Sequence, residues 1–189
     1  MMRIVGGKFR GKKLLLPVDK RIRPTSDRTR EALFNILAHD GGMRSEFGAL
    51  PHNARVLDVF AGTGALGLEA LSREAKHVTF IDNHPQSLKL IKENVQNISA
   101  TGAADMLNRD GAKPGIAGEP YDLILLDPPY QGGLVTPCIK GLLAGNWLKP
   151  AAVMVVELAA KEAFTAPDTL DLLKERTYGA ARLLFFKLR

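Results

Sequence analysis

The sequence predicts an α/β fold: a parallel β-sheet covered on both faces by helices and preceded by a short basic β-hairpin. Three observations carry this. From residue 55 onward, short apolar β-rich runs alternate with helical stretches, and that alternation implies a parallel sheet buried between helices. The first of those runs leads into a glycine-rich loop, Gly62-Thr-Gly64-Ala-Leu-Gly67, at a helix start. Ahead of residue 25, glycines punctuate two apolar runs loaded with Lys and Arg.

The elements follow in order. Residues 1–24 carry Ile4, Val5, Phe9, Leu14, Leu15 and Leu16, broken by Gly6, Gly7 and Gly11. A flexible tail would be poor in apolar residues. This pattern predicts two short strands joined by a glycine turn, with Pro24 as the stop. Ser26 or Asp27 caps a helix running to about Leu37. Its apolar face is Leu33, Ile36 and Leu37, and Arg28 and Arg30 lie elsewhere on the first turns. Residues 39–54, with Gly41, Gly42, Gly48 and Pro51, read as a linker or loop. Then come a strand at 55–60, a helix at 65–73, a strand at 77–81 and a helix at 85–98 with Leu88, Ile91 and Val95 on one face. A weak strand at 103–107 precedes a strong one at 121–126. A helix at 133–143, a buried-type strand at 152–158 and two terminal strands, 176–178 and 181–188 around Gly179, complete the chain.

Length and composition bound the class. The 189 residues are 46% hydrophobic and 24% charged, the balance of one globular domain able to bury a real core. This excludes a disordered, collagen-like or disulfide-scaffold chain. Cys138 is the single cysteine, so no intrachain disulfide forms and a reducing compartment fits. No apolar run approaches the roughly 20 residues that span a bilayer. The basic N-terminus lacks the apolar stretch of a signal peptide. The expected location is the cytoplasm.

The net charge is +6, and it is unevenly spread. Residues 1–30 hold ten Lys or Arg against two acids, or +8, and the other 159 hold 16 against 18, or −2. A concentrated basic segment on a near-neutral body predicts a polyanion partner, most simply nucleic acid; a solvated tail is the bland alternative. The ordered apolar residues within the segment favour basic side chains held on a defined surface. Arg3, Lys8, Arg10, Lys12, Arg23, Arg28 and Arg30 are the candidate nucleic-acid contacts.

Ligands of parallel sheets bind at the carboxyl ends of strands, so the residues after each strand are the candidate site. The loop after the first strand matches the dinucleotide fingerprint, which alone is weak and admits NAD or FAD. Asp58, ahead of the glycines, is placed to reach a ligand amine, a group that pyrophosphate sites do not need. Asp82, with Asn83 beside it, ends the second strand and suits ribose hydroxyls. Asp110 follows the third and suits an adenine edge. Phe60, Gly62 and Gly64 line the loop. An amine, a ribose and an adenine without phosphate describe S-adenosylmethionine. The alternative is that Asp58 and Asp82 simply cap the helices that follow.

The fourth strand runs into Asp127-Pro128-Pro129-Tyr130. Two prolines stiffen the backbone and remove two N–H donors. The carbonyl between them becomes a pure acceptor beside the Asp127 carboxylate, and Tyr130 offers an aromatic plate. This set suits an exocyclic amine on a flat base: two acceptors grip its N–H bonds and draw its lone pair out of conjugation toward a sulfonium methyl. The alternative is a Pro-rich turn leaving a strand.

These residues resemble the S-adenosylmethionine-dependent amino-methyltransferases. The strings Arg3-Ile-Val-Gly-Gly, Arg10-Gly-Lys-Lys-Leu and Arg23-Pro-Thr-Ser-Asp-Arg-Thr-Arg-Glu31 narrow the resemblance to the bacterial 16S rRNA (guanine-966 N2)-methyltransferase family, over almost the whole chain. The resemblance implies a Rossmann-like seven-stranded methyltransferase sheet flanked by helices, its last hairpin antiparallel at one edge, with an N-terminal β-hairpin extension that grips rRNA. It divides the chain into an RNA-binding segment, 1–24, and a methyltransferase domain, 25–189. It puts the cofactor motif on Asp58, Phe60, Gly62 and Gly64, the ribose acid on Asp82 and the catalytic motif on residues 127–130. The implied substrate is a guanine of 16S rRNA in an assembled or nearly assembled small subunit; a monomer is expected, because one domain can dock on a large substrate.

His39, His52, His77 and His84 show no metal-ligand spacing, and no metal is expected. Cys138 and Trp147 read as packing residues; Glu157 is either structural or lines the site. The competing functions are an N6-adenine nucleic-acid methyltransferase, a protein glutamine methyltransferase, an NAD(P)-dependent oxidoreductase using residues 62–67, and a non-catalytic RNA-binding assembly factor.

Overall fold

A computed structural model describes residues 2–17, 26–129 and 133–189. Among these, seven strands form one sheet: β3 (Arg55–Val59), β4 (His77–Asp82), β5 (Ala104–Asn108), β6 (Tyr121–Leu126), β7 (Leu148–Ala159), β8 (Leu170–Tyr178) and β9 (Ala181–Leu188). Their spatial order is β5-β4-β3-β6-β7-β9-β8. The first five in that order are mutually parallel, and β9 runs antiparallel to both of its neighbours. The chain builds outward from β3 to β5, then returns to place β6 on the other side of β3. That reversal opens a crevice at the carboxyl ends of β3 and β6.

Both faces of the sheet are apolar. Val56, Val78, Phe80, Leu123 and Leu125 pack on one side with α1 (Asp27–His39), α2 (Ala65–Ser72) and α3 (Pro85–Asn97). Leu57, Val59, Ile81, Ile124 and Leu126 pack on the other with α4 (Val135–Ala144) and Trp147. Every residue of β6 is buried, the expected signature of a central parallel strand. Cys138 and Trp147 are core residues, and the Trp147 indole N–H donates to the Gly115 carbonyl at 2.8 Å.

The structure departs from expectation in four places. The N-terminal segment is a hairpin, but its ladder is a single antiparallel bridge, Arg3 to Lys13. Ile4 N donates to Lys12 O at 2.9 Å and Leu14 N to Met2 O at 3.0 Å. Met2, Ile4 and Leu14 enter the same core as α1 and α2. The expected stop at Pro24, and the boundary between residues 24 and 25, lie outside the described residues. The stretch 39–54 is not a plain loop: β1 (Arg44–Ser45) and β2 (Gly48–Ala49) form a small ribbon, and Met43 and Leu50 anchor it in the core. β7 starts four residues early, through an irregular register between Tyr121 and Leu123. β8 starts six residues early; its run is mostly exposed and holds four charged residues, so pairing with β9 rather than apolar alternation defines it.

Candidate active site

Asp58 stands one residue from the end of β3, and Phe60 beyond the strand turns left-handed at φ +61°. Gly62 and Gly64 continue with φ of +54° and +76°, a region open to glycine at no steric cost. Ala61 N donates to Ile81 O at 3.1 Å, and Gly64 N to Ala61 O at 2.7 Å. α2 then starts without a side-chain cap on its first residues. Asp58 supplies what is missing: its Oδ2 accepts from Gly67 N at 2.8 Å. Gly67 also permits close packing, since a Cβ there would lie 2.3 Å from the Phe80 ring on β4.

Asp82 ends β4 and ties two loops together. Its Oδ2 accepts from Gly62 N at 2.9 Å and its Oδ1 from His84 N at 2.8 Å, at the entry to α3. Asp58 therefore caps α2, as the capping alternative required, while Asp82 bonds loop N–H groups that lie outside α3. Asn83 is exposed beside Asp82. Asp110 is exposed after β5, and its Oδ1 accepts from Ala112 N at 2.9 Å. The next residue, Gly111, lies against the Phe60 ring, where a Cβ would stand 2.6 Å from the ring edge. The loop after β5 thus closes over the end of β4 toward the loop after β3.

Leu126 is level with Val59 and with Val156 in the sheet. Asp127 consequently emerges beside Phe60, and Glu157 sits at the same strand-end level, buried in β7. Asp127 is half-buried, Pro128 buried and Pro129 exposed. Tyr130 lies outside the described residues. The electrostatics follow from this convergence. Burial pushes the Asp58 carboxyl well above its ordinary range; the Gly67 N–H opposes this, while the charges of Asp127 and Asp82 add to it. A buried carboxylate facing like charges favours a cation as neighbour. No cluster of metal-ligating side chains occurs among the described residues.

The candidate nucleic-acid residues divide. Arg3, Lys8, Arg10, Lys12 and Arg28 are exposed on the hairpin and the first turn of α1. Arg23 lies outside the described residues. Arg30 is a correction: its side chain is fully buried and not available to a polyanion. It donates to the Arg3 carbonyl and to Asp27 Oδ1, and its Nε lies 3.6 Å from Glu69 Oε2. The signal was present in the sequence, because Arg30 occupies the i position of the stripe Leu33, Phe34 and Leu37.

Sequence reasoning also missed Glu69 and Asn94. Glu69 is fully buried and bonds Val5 N at 2.8 Å and Arg73 Nε at 2.8 Å. A lone acid within the apolar run of α2 was its only signal. Asn94 sits on the buried face of α3 with Ile91 and Val95.

The profile of the family described as Conserved hypothetical protein 95 matches residues 2–187. The Ribosomal RNA small subunit methyltransferase D of Haemophilus influenzae is 36% identical over 184 residues, covering 94% of this chain and 89% of its own. The protein of the same name from Escherichia coli strain K12 is 37% identical over 180 residues, covering 94% and 85%. The solved structure of yhhF from Escherichia coli superposes with a TM-score of 0.85 at 33% identity, over 100% of this chain and 98% of that one.

Proposed function

Given that the chain belongs to the family described as Conserved hypothetical protein 95, we propose that it is an S-adenosylmethionine-dependent rRNA methyltransferase. Its target is the exocyclic N2 amine of guanine 966 in 16S rRNA, presented by the assembled or nearly assembled small subunit and met by a monomer. The observation that carries this is the convergence of Asp58, Asp82 and the Asp127-Pro128-Pro129 turn on one crevice, around a loop whose glycines hold left-handed backbone. The two relatives named above bear rRNA methyltransferase names.

The residues suit the cofactor by shape and by charge. Gly62 and Gly64 keep the loop low, and the strand-end carboxylates attract a cationic ligand while repelling a pyrophosphate. When bound, S-adenosylmethionine supplies a methyl group on a positively charged sulfur, open to in-line attack by a nitrogen lone pair. Asp58 meets its amine, Asp82 with Asn83 its ribose, and Asp110 and Phe60 its adenine end. The Asp127 carboxylate and the Pro128 carbonyl accept the two N–H bonds of the guanine amine, which frees the nitrogen lone pair from the ring. Tyr130 stacks on the base, a contact worth about 1–3 kcal/mol. The proton released on transfer passes to Asp127 or to water. Positioning supplies most of the acceleration. Arg3, Lys8, Arg10, Lys12, Arg23 and Arg28 hold phosphates.

The test offers methyl-labelled S-adenosylmethionine and the protein to small subunits, naked 16S rRNA and duplex DNA, with products identified as nucleosides by mass spectrometry. N2-methylguanosine at one rRNA site is the expected result. Label in N6-methyladenine would keep the catalytic turn and discard the guanine target. Asp127→Ala is expected to slow transfer about a hundredfold or more, with cofactor affinity within a few fold by calorimetry. Lost cofactor binding would remove the role assigned to Asp127.

A further inference from the structure

We propose that Asn94 is a positioning residue that couples the N-terminal hairpin to the cofactor loop, so that RNA seated on the hairpin and cofactor seated in the loop tighten each other's binding. The inference rests on the RNA and cofactor assignments above. Asn94 is fully buried on α3, where an amide is costly unless its donors and acceptor are met. Its Oδ1 accepts from Leu15 N at 2.8 Å. Its Nδ2 donates to Leu15 O at 3.2 Å and to Thr63 O at 3.4 Å. One side chain thus holds both backbone groups of a hairpin residue and the carbonyl that lies between Gly62 and Gly64.

Thr63 is held a second time. Its hydroxyl lies 3.8 Å from Met2 Sδ, and both residues are buried. The other end of α2 is fastened separately: Ser72 O accepts from Lys8 N at 2.8 Å, and Ser72 Oγ from Phe9 N at 2.9 Å. The hairpin therefore brackets α2 from its last residue to the loop before its first. Its side chains at Arg10, Lys12 and Lys13 face solvent while its backbone is locked to that loop. A hairpin ordered by RNA orders Thr63 through Asn94, and a loop ordered by cofactor orders Leu15 by the same route. Such coupling is reciprocal by necessity.

The test is the affinity of S-adenosylhomocysteine, by calorimetry, with and without a saturating fragment of small-subunit rRNA spanning the target guanine. The wild type is expected to bind about fivefold or more tightly with RNA present. Asn94→Asp keeps the acceptor for Leu15 N but turns a carboxylate oxygen toward two carbonyls, and is expected to bring that ratio close to one. A purely structural role would lower the melting temperature and both affinities while leaving the ratio. A ratio of one in the wild type, or an unchanged ratio in folded Asn94→Asp, overturns the proposal. Should the variant not fold, hydrogen exchange on the wild type decides. RNA alone is expected to slow the amides of residues 62–67, and S-adenosylhomocysteine alone the amide of Leu15; unchanged exchange overturns the coupling. RNA that does not bind the wild type at all removes the functional assignment and the coupling together. RNA that binds with a ratio of one removes the coupling alone.

Discussion

Asp58 serves two demands that pull against each other. Its carboxylate must stay inside the fold to hold Gly67 N, yet burial and the charges of Asp127 and Asp82 penalise its ionised form. Because its folded pKa is raised, the native state binds the proton more tightly than the unfolded chain does. Its contribution to stability therefore falls as pH rises from the ordinary carboxylate range, about 4, toward the raised value, and stays low above it. Asp58→Asn keeps an acceptor for Gly67 N and removes the charge. It is expected to be at least as stable as the parent at pH 7 without cofactor, and to lose that pH slope in denaturant titrations from pH 4 to 8. Cofactor affinity is expected to fall about tenfold or more, because the amine loses its counter-charge. A variant that is both less stable and equally tight in cofactor binding would contradict both roles of Asp58.

At the scale of elements, α2 joins the site to the hairpin. Its N-terminal loop carries Gly62 and Gly64, while Glu69 and Ser72 hold Val5 and Phe9 near its other end. Glu69, Arg30 and Arg73 form a network sealed under the hairpin. Removing one member of a buried pair typically costs about 3–5 kcal/mol, because a charge is left without its partner. The tightest approach is at Gly7, with φ of +74° and a virtual Cβ only 1.9 Å from the Ser72 carbonyl. Gly7→Ala is thus expected to lift the turn off α2 and destabilise the fold by about 1–3 kcal/mol. Equilibrium urea unfolding would measure that loss, and filter binding a parallel loss of RNA affinity. A neutral outcome in both would mean that the hairpin turn does not depend on α2.

For the whole molecule, charge and topology divide the work. The excess positive charge lies in residues 1–30, whose described residues form a hairpin and the start of a helix packed against one face of the sheet. The carboxylates lie at the strand ends. Under the proposed function, nucleic acid would be drawn to one region and a cationic cofactor to the other, with α2 and α3 between them. Counterion release makes the first term measurable. Arg10→Gln combined with Lys12→Gln is expected to lower the slope of log affinity against log salt by about two, one for each phosphate no longer neutralised. An unchanged slope would take these side chains off the phosphate backbone.

The alternation of strand and helix, the glycine loop, the strand-end acids and the charge asymmetry were legible in the amino-acid order, because each is a local pattern. Apolar spacing tells which face of an element is buried, and a glycine or proline constrains the backbone where it stands. Partners distant in the chain were not legible. Arg30 read as a surface cation until the structure set Glu69 beside it. Asn94 drew no notice in the sequence, and only the structure puts Leu15 and Thr63 on its amide. The extent of β8 followed from its pairing with β9, not from its own exposed residues. By itself the sequence determined the order of elements and the chemistry available at the end of each strand. Only the tertiary structure decided which charges are buried and which strand ends are neighbours, since a buried polar group is tolerated only where a partner from elsewhere in the chain arrives to meet it.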